Sequence, residues 1–197
     1  MGKLIWKPGT LLYPLPAVMV SLGTVEAPQV LTVAWTGIVC SDPVMTYISV
    51  RPERHSYATL KEAGEFVINL TTEDLARATD YCGVRSGRDT DKWRDMGLTP
   101  LPASQVSAPL IAQSPINLEC RVRQVLPLGS HDLFLAEVAA VEVEESAVVE
   151  GRLRLDQCHL IAYSHGHYVT LGHSLGSFGY SVRKKPAGKA RRTPRRR

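Results

Sequence analysis

A basic and polar segment, Ser49 to Tyr57, has residue types that suit an anion. It contains two arginines, a histidine and hydroxyl side chains, and it leads from a predicted strand into a predicted helix. The first turn of a helix presents unpaired N–H groups and a positive partial charge, and arginine adds charge-assisted hydrogen bonds. An ion pair with Glu53 is the alternative, but it explains only one arginine. The segment therefore predicts a phosphate site.

Two further segments have unusual composition for connections between strands. In Thr32 to Gly37 a tryptophan is flanked by hydroxyl residues at the end of a predicted strand, which offers an aromatic wall beside accessible N–H groups. For Trp35 alone, a place in the core is the favoured alternative. The loop Cys82 to Trp93 contains two glycines and Lys92, but neither the Walker spacing nor GxGxxG. We expect Lys92 to lie in a polar loop, with little packing around it.

The elements that position these segments are mostly strands. Short runs rich in β-branched residues, separated by turn signals, predict the strands 17–22, 30–35, 44–50, 66–70, 116–126, 132–143, 159–163 and 167–171. The two long strands flank a turn at Pro127 to Ser130 and so form a hairpin. Helices are predicted at 55–63, at 91–96, and from a capping box at Thr71 and Asp74 to about Cys82. Many short strands with few helices favour a closed or nearly closed antiparallel barrel.

Composition bounds the function classes. The 197 residues fit one domain, and residues 183–197 hold nine of the 23 basic residues, so the remainder carries a net charge of −5. The basic tail permits nucleic-acid binding, although no recognition fold accompanies it. Four widely spaced cysteines predict buried, reduced thiols and no zinc site. Without a signal peptide or membrane-length apolar run, we expect a cytoplasmic protein with no membrane partner.

Two other constellations give weaker hypotheses. The histidines at 159, 165 and 167 cluster in sequence, and His165 and His167 would share a strand face, but no third ligand of suitable spacing joins them, so no metal site is expected. The sequence contains no GxSxG motif, so serine hydrolase activity is not expected.

Taken together, the segments resemble one family, the flavin reductase-like proteins of the FMN-binding split-barrel fold, in particular its flavoredoxin-like branch. The resemblance covers nearly the whole chain. It rests on the order of the segments 7–10, 14–16, 31–37, 42–43, 49–52, 64–70, 86–92, 108–111, 118–120, 129–134 and 178–182. It implies a mainly β protein, an antiparallel Greek-key split barrel with a few short helices. Residues 1–182 would form this domain and residues 183–197 a basic, flexible tail.

The resemblance also implies an FMN site at a homodimer interface. Residues matching the family's flavin-ring and ribityl contacts are Thr32, Val33, Ala34 and Trp35. Those matching its phosphate contacts are Ser49, Val50, Arg51, Arg54, His55, Ser56 and Tyr57, and further polar contacts come from Lys92 and His131. Asn69 would fix the loops. Gln29 stands where the family usually has Asn, one methylene further out, Ser56 replaces a common Thr, and Ala136 replaces a common Gly.

The reaction implied is two-electron transfer through FMN from NAD(P)H or a redox protein to a flavin, ferric ion or partner protein. Because the cofactor carries the chemistry, no catalytic side chain is required. Trp35 and His131 are expected to shape the site. Two alternatives remain open: a non-enzymatic FMN electron carrier, and a nucleic-acid-associated protein acting through its tail.

Overall fold

A computed structural model describes residues 1–183, so all but the first residue of the predicted basic tail lies outside the described residues. Fourteen strands and three helices occur within this range. The helices are α1 (Tyr57–Ala63), α2 (Ala76–Val84) and α3 (Lys92–Met96). The strands are β1 (Leu15–Pro16), β2 (Val18–Gly23), β3 (Pro28–Val33), β4 (Thr36–Ser41), β5 (Val44–Val50), β6 (Glu65–Leu70), β7 (Pro100–Leu101), β8 (Leu110–Ile111), β9 (Ile116–Pro127), β10 (Asp132–Val143), β11 (Val148–Val149), β12 (Arg152–Leu153), β13 (Ile161–Ser164) and β14 (His167–Thr170).

Seven of these strands form one antiparallel sheet in the order β3-β2-β6-β9-β10-β5-β4. The strands β3 and β4 are consecutive in the chain but lie at opposite edges of the sheet. Only Ala34 and Trp35 join them, and the N–H of Ser49 on β5 donates to the carbonyl of Trp35 over 2.9 Å. The sheet therefore curls until its two edges approach. This architecture confirms the predicted mainly antiparallel barrel.

The core fills the concave side of the sheet. Successive side chains of a strand point to opposite faces, and β2 sends Val18, Val20 and Leu22 into this core together with Phe66 and Phe134. Met19, on the other face of β2, packs into a second cluster beneath α2 and α3. Because both faces of β2 are covered, its run of apolar residues does not alternate with polar ones.

A buried asparagine fixes the loops beside the sheet, as expected. The Nδ2 of Asn69 donates to the carbonyl of Met19 and to Oγ of Ser21, and its Oδ1 accepts from the N–H of Ile111 and from Asn117. An amide side chain with all these partners satisfied holds β2, β6 and β8 in one arrangement.

The predicted capping box at Thr71 is wrong. The hydroxyl of Thr71 donates to the carbonyl of Ala17, and α2 begins only at Ala76 without a side-chain cap. The third helix occurs where it was predicted, and the carboxylate of Asp91 caps it by accepting from the N–H of Arg94.

Two predictions about cysteine and histidine need correction. Cys82 and Cys120 are buried free thiols, whereas Cys40 and Cys158 are free but partly exposed. His165 lies in the turn between β13 and β14 with φ 47°, so it does not share a strand face with His167. Among residues 1–183, no group of three or more His, Cys, Asp or Glu side chains could hold a metal ion. In the same range no helix has the length and apolar character to cross a membrane.

Candidate functional site

A wide groove of about 370 Å³ opens where β3 and β5 end. This volume is within the usual range for small-molecule sites, roughly 300–1,000 Å³. Its walls are the β3–β4 link, the end of β5, the last turn of α2 and the β13–β14 hairpin. Nine of the predicted site residues line this wide groove: Thr32, Val33, Ala34, Trp35, Ser49, Val50, Arg51, Arg54 and His131.

The wide groove continues into a narrow cleft of about 220 Å³, since Leu31, Arg54 and Val84 line both. The narrow cleft is strongly basic. It contains the predicted residues Arg54, His55, Ser56 and Lys92, together with Arg85 and Arg88. A third, outer cleft follows, and Gln29 lines it together with His55, Ser56 and Lys92. The chain thus forms a trough that is aromatic at one end and cationic at the other.

The aromatic end is built from Trp35 and His131, whose ring centroids lie 4.3 Å apart. Burial lowers the pKa of His131, and the positive charges of Arg51 and Arg54 lower it further, against a smaller opposing effect of Glu53. His131 is therefore neutral at pH 7 and packs as an aromatic ring. Trp35 is only half-buried, so the alternative that placed it in the core is wrong.

The cationic end is anchored on the C-terminus of α2. The ammonium of Lys92 donates to the carbonyls of Cys82 and Val30 over 2.8 and 2.9 Å, and Nη1 of Arg54 donates to the carbonyl of Gly83 over 2.8 Å. The last carbonyls of a helix have no partner within the helix, and its negative end favours cations. These two side chains therefore cap α2 while they line the narrow cleft.

Lys92 differs from the sequence expectation. It is 7% exposed and lies beneath the loop rather than within it. Burial lowers its pKa, with a further lowering by Arg54, while Cys82 acts in the opposite direction. An ammonium has three N–H donors, and the two bonds to carbonyls leave one for a ligand in the cleft.

The residues that lead into α1 lie in two different places, His55 and Ser56 at the narrow cleft and Tyr57 in the barrel wall. Ser56 is buried at the N-terminus of α1 and makes no side-chain cap, and Gly87 packs so closely on His55 that a Cβ there would lie 2.8 Å from Cδ2. Tyr57 is not brought to either cleft or to the wide groove. Its hydroxyl donates to Asp132 and its ring packs edge-on against Phe134, which places it in the barrel wall.

Comparison with known proteins identifies the family to which this chain belongs. The sequence model of the flavin reductase-like domain matches residues 11–172. The chain belongs to the flavin reductase-like family. An uncharacterized protein of Pyrococcus abyssi is 30% identical over 160 residues, which are 81% of this chain and 92% of that relative.

Solved structures of this flavin reductase-like family have the same fold. Flavoredoxin of Desulfovibrio vulgaris (Miyazaki F) superposes with a TM-score of 0.84 at 27% identity, covering 92% of this chain and all (100%) of that one. Flavoredoxin from Methanosarcina acetivorans gives 0.83 at 23% identity, covering 93% and 100%. The split-barrel fold predicted from the sequence is therefore confirmed.

Gln29, which lines the outer cleft, contains an unpartnered acceptor. Nε2 of Gln29 donates to Oγ1 of Thr59 over 3.1 Å, while its Oε1 is buried and has no hydrogen-bond partner among residues 1–183. Buried acceptors are normally satisfied, so Oε1 suits a hydroxyl or N–H of a ligand. Together with the cations of the narrow cleft, this donor and acceptor set fits a phosphorylated, hydroxyl-bearing cofactor such as FMN.

The sequence analysis did not predict several residues that line the wide groove and the narrow cleft. Arg85 and Arg88 lie in the glycine-containing loop that the sequence singled out, and their charge was the signal that could have found them. Asp80, Tyr163 and Tyr168 line the wide groove, but they come from a helix and a hairpin whose sequences carry no motif.

Proposed function

We propose that the chain binds FMN along its trough and passes electrons through it. The observation that supports this most directly is the continuity of the aromatic wide groove with the basic narrow cleft through Leu31, Arg54 and Val84. A planar ring and a terminal phosphate joined by a polar chain require this sequence of surfaces. Membership of the flavin reductase-like family supports a flavin-binding redox role.

The wide groove would hold the flavin ring and the narrow cleft the phosphate. Thr32 to Trp35 and Val50 line the wide groove with side chains and backbone groups, and Gln29 offers an acceptor in the outer cleft beside Ser56 and Lys92. The phosphate would accept from Lys92, Ser56 and the arginines. When bound, FMN supplies an acceptor and donor of two electrons, and the chain binds and orients it.

We propose NAD(P)H as the electron donor, and a flavin, ferric ion or partner protein as the electron acceptor. The second candidate is an electron carrier that exchanges electrons only with proteins, which the 27% identity to a flavoredoxin supports. The free thiols of all four cysteines are compatible with a cytoplasmic setting.

We further propose a homodimer joined through the β4 edge of the sheet. The side chains of Ile38 and Val39 are exposed there, Ile38 to 86%, and Val44 is exposed at the start of the neighbouring strand β5. An exposed apolar edge strand invites pairing, and closed two-fold dimers are the commonest solution. Light scattering should report a dimer, and Ile38→Lys should give a monomer. The control Leu128→Lys, on an exposed turn, should remain dimeric.

The experiment that tests the cofactor is a titration of apoprotein with FMN and with FAD, followed by absorption and fluorescence. We expect saturable binding of FMN and flavin extracted from purified protein to be FMN. Apoprotein that fails to bind FMN would contradict the proposal.

A separate assay distinguishes the two redox candidates. FMN-loaded protein is mixed with NADH or NADPH, with ferric ion or free flavin as acceptor, and nicotinamide oxidation is followed at steady state. Turnover above the rate with free FMN supports the enzyme. Bound flavin that is reduced by dithionite but by neither dinucleotide supports the carrier.

A further inference from the structure

A buried carboxylate beside the wide groove has no part in the FMN contacts described above. Asp132, the first residue of β10, is 9% exposed. Among residues 1–183 its carboxylate forms no ion pair and accepts one hydrogen bond, from the hydroxyl of Tyr57. Buried charges in proteins are normally paired, because removing an isolated charge from water is costly. A buried carboxylate with a single neutral donor therefore requires an explanation other than stability.

The pairing of β10 with β5 places this carboxylate close to the wide groove. Asp132 lies directly opposite Val50, which lines the wide groove. Directly opposite residues of an antiparallel pair share a face of the sheet, and their Cβ atoms are about 4.5–5.5 Å apart. His131, the preceding residue, also lines the wide groove. The carboxylate of Asp132 is therefore separated from the groove by about the width of one side chain.

Tyr57 holds the carboxylate in place without neutralising it. The hydrogen bond to Asp132, with a smaller effect of burial, raises the pKa of Tyr57. The hydroxyl of Tyr57 therefore keeps its proton at neutral pH and remains the donor. The Tyr57 ring is itself oriented by an edge-on contact with Phe134, with ring centroids 5.7 Å apart. The negative charge of Asp132 is thus fixed in position.

The other charged residues around the wide groove are exposed. Arg51, Arg54 and Asp80 line it, and all three are exposed to solvent. Exposed charges are strongly screened by water and salt, whereas a buried charge is screened much less. Asp132 is therefore the charge beside this groove whose field is screened least.

We propose that the carboxylate of Asp132 lowers the reduction potential of FMN bound in the wide groove. The inference rests on the proposed FMN function and adds to it a residue that sets the energy of electron transfer. A flavin that takes up two electrons and one proton becomes more negative by one unit of charge. A nearby buried carboxylate opposes this change, because like charges repel more strongly where the dielectric constant is low. Tyr57 is a positioning residue, since it acts on the flavin only through the carboxylate.

The test measures the midpoint potential of FMN-loaded protein by equilibrium reduction against a reference dye, followed by flavin absorption. Asp132→Asn keeps the size of the side chain and an acceptor for Tyr57 but removes the charge. We expect about tenfold more reduced flavin at the same potential, which is a rise of about 30 mV for a two-electron couple. Asp132→Thr, a second neutral variant that suits a strand, should give a similar rise. Because the charge is buried, both shifts should persist at high salt.

Two further variants separate the charge from the packing around it. Tyr57→Phe keeps the carboxylate but removes its donor, so the midpoint potential should be at or below the parental value. The control Glu119→Gln removes a fully buried carboxylate that is distant from the groove. Glu119 is eight residues along β9 from Pro127, the partner of Asp132, which corresponds to about 25 Å. This control should keep the parental potential.

Three results would overturn the assignment of Asp132. The first is a parental potential in both neutral variants, and the second is a rise in Tyr57→Phe as large as that in Asp132→Asn. The third is loss of FMN binding in both neutral variants, which would show that the carboxylate serves binding or folding instead. FMN titration of the parent distinguishes all of these from failure of the proposed function, in which the parent chain itself would bind no FMN.

Discussion

Replacing Lys92 with methionine tests the double role of the residue as helix cap and phosphate ligand. The substitution keeps most of the apolar stem but removes all three donors. Each hydrogen bond from a charged group contributes about 1.5–3 kcal/mol. Removing the buried ammonium also removes its desolvation cost, which offsets part of the lost hydrogen-bond energy. For the two bonds to Cys82 and Val30 we therefore expect a net loss of about 2–4 kcal/mol in the free energy of unfolding of the apoprotein.

The third donor gives a separate expectation for FMN. Losing one charge-assisted bond to phosphate should weaken binding roughly tenfold to hundredfold. Denaturant unfolding without flavin and fluorescence titration with FMN measure the two effects. Lys61→Met, which removes an exposed charge from α1, is the control and should change neither by much.

The pH dependence gives a further check on Lys92. Burial lowers its pKa below the usual 10.5, so the ammonium loses its proton at a less alkaline pH than a free lysine does. The unfolded chain binds this proton more tightly, and stability should rise with pH between the lowered pKa and 10.5. FMN affinity should fall over the same range. If Lys92→Met apoprotein has the same free energy of unfolding as the parent, Lys92 does not stabilise the end of α2. If its affinity for FMN is unchanged, Lys92 does not contact the phosphate.

Three other substitutions follow from contacts in the fold and the trough. Glu119→Gln should cost about 1.5–3 kcal/mol in denaturant unfolding, because the buried carboxylate accepts four hydrogen bonds from residues 104–106. Trp35→Ala should lower FMN affinity roughly tenfold in titration with little loss of apoprotein stability, since the ring is half-buried. Gly87→Ala should displace His55 and weaken FMN binding, whereas Gly172→Ala, with no atom within 4 Å of its Cβ, should behave as the parent in the same titration.

The strands were predictable because their signal is local. The run 44–50 and the hairpin around Pro127 to Ser130 combine β-branched residues with turn chemistry, and both occur where the sequence places them. The capping box failed because Thr71 has a partner, Ala17, that is distant in the chain. A local pattern cannot reveal such a competitor.

The candidate site was predictable only in part for a similar reason. The family resemblance located Thr32 to Trp35 and the segment after β5, which the fold brings to one groove. It could not show that Lys92 turns inward to α2 or that Tyr57 faces Asp132, because both depend on how elements distant in the sequence pack. Asp80 and Tyr168 escaped notice since neither belongs to a motif.

The position of β3 and β4 at opposite edges of the sheet affects the order in which the protein folds. Hairpins such as β9–β10 close locally, but Trp35 meets His131 only after β5 has paired with β10, which is distant from it in the sequence. Contacts between residues distant in sequence form late, because the entropy of closing the chain must be overcome first. The trough is therefore among the last features to form during refolding, and the recovery of ligand binding reports completion of the whole barrel.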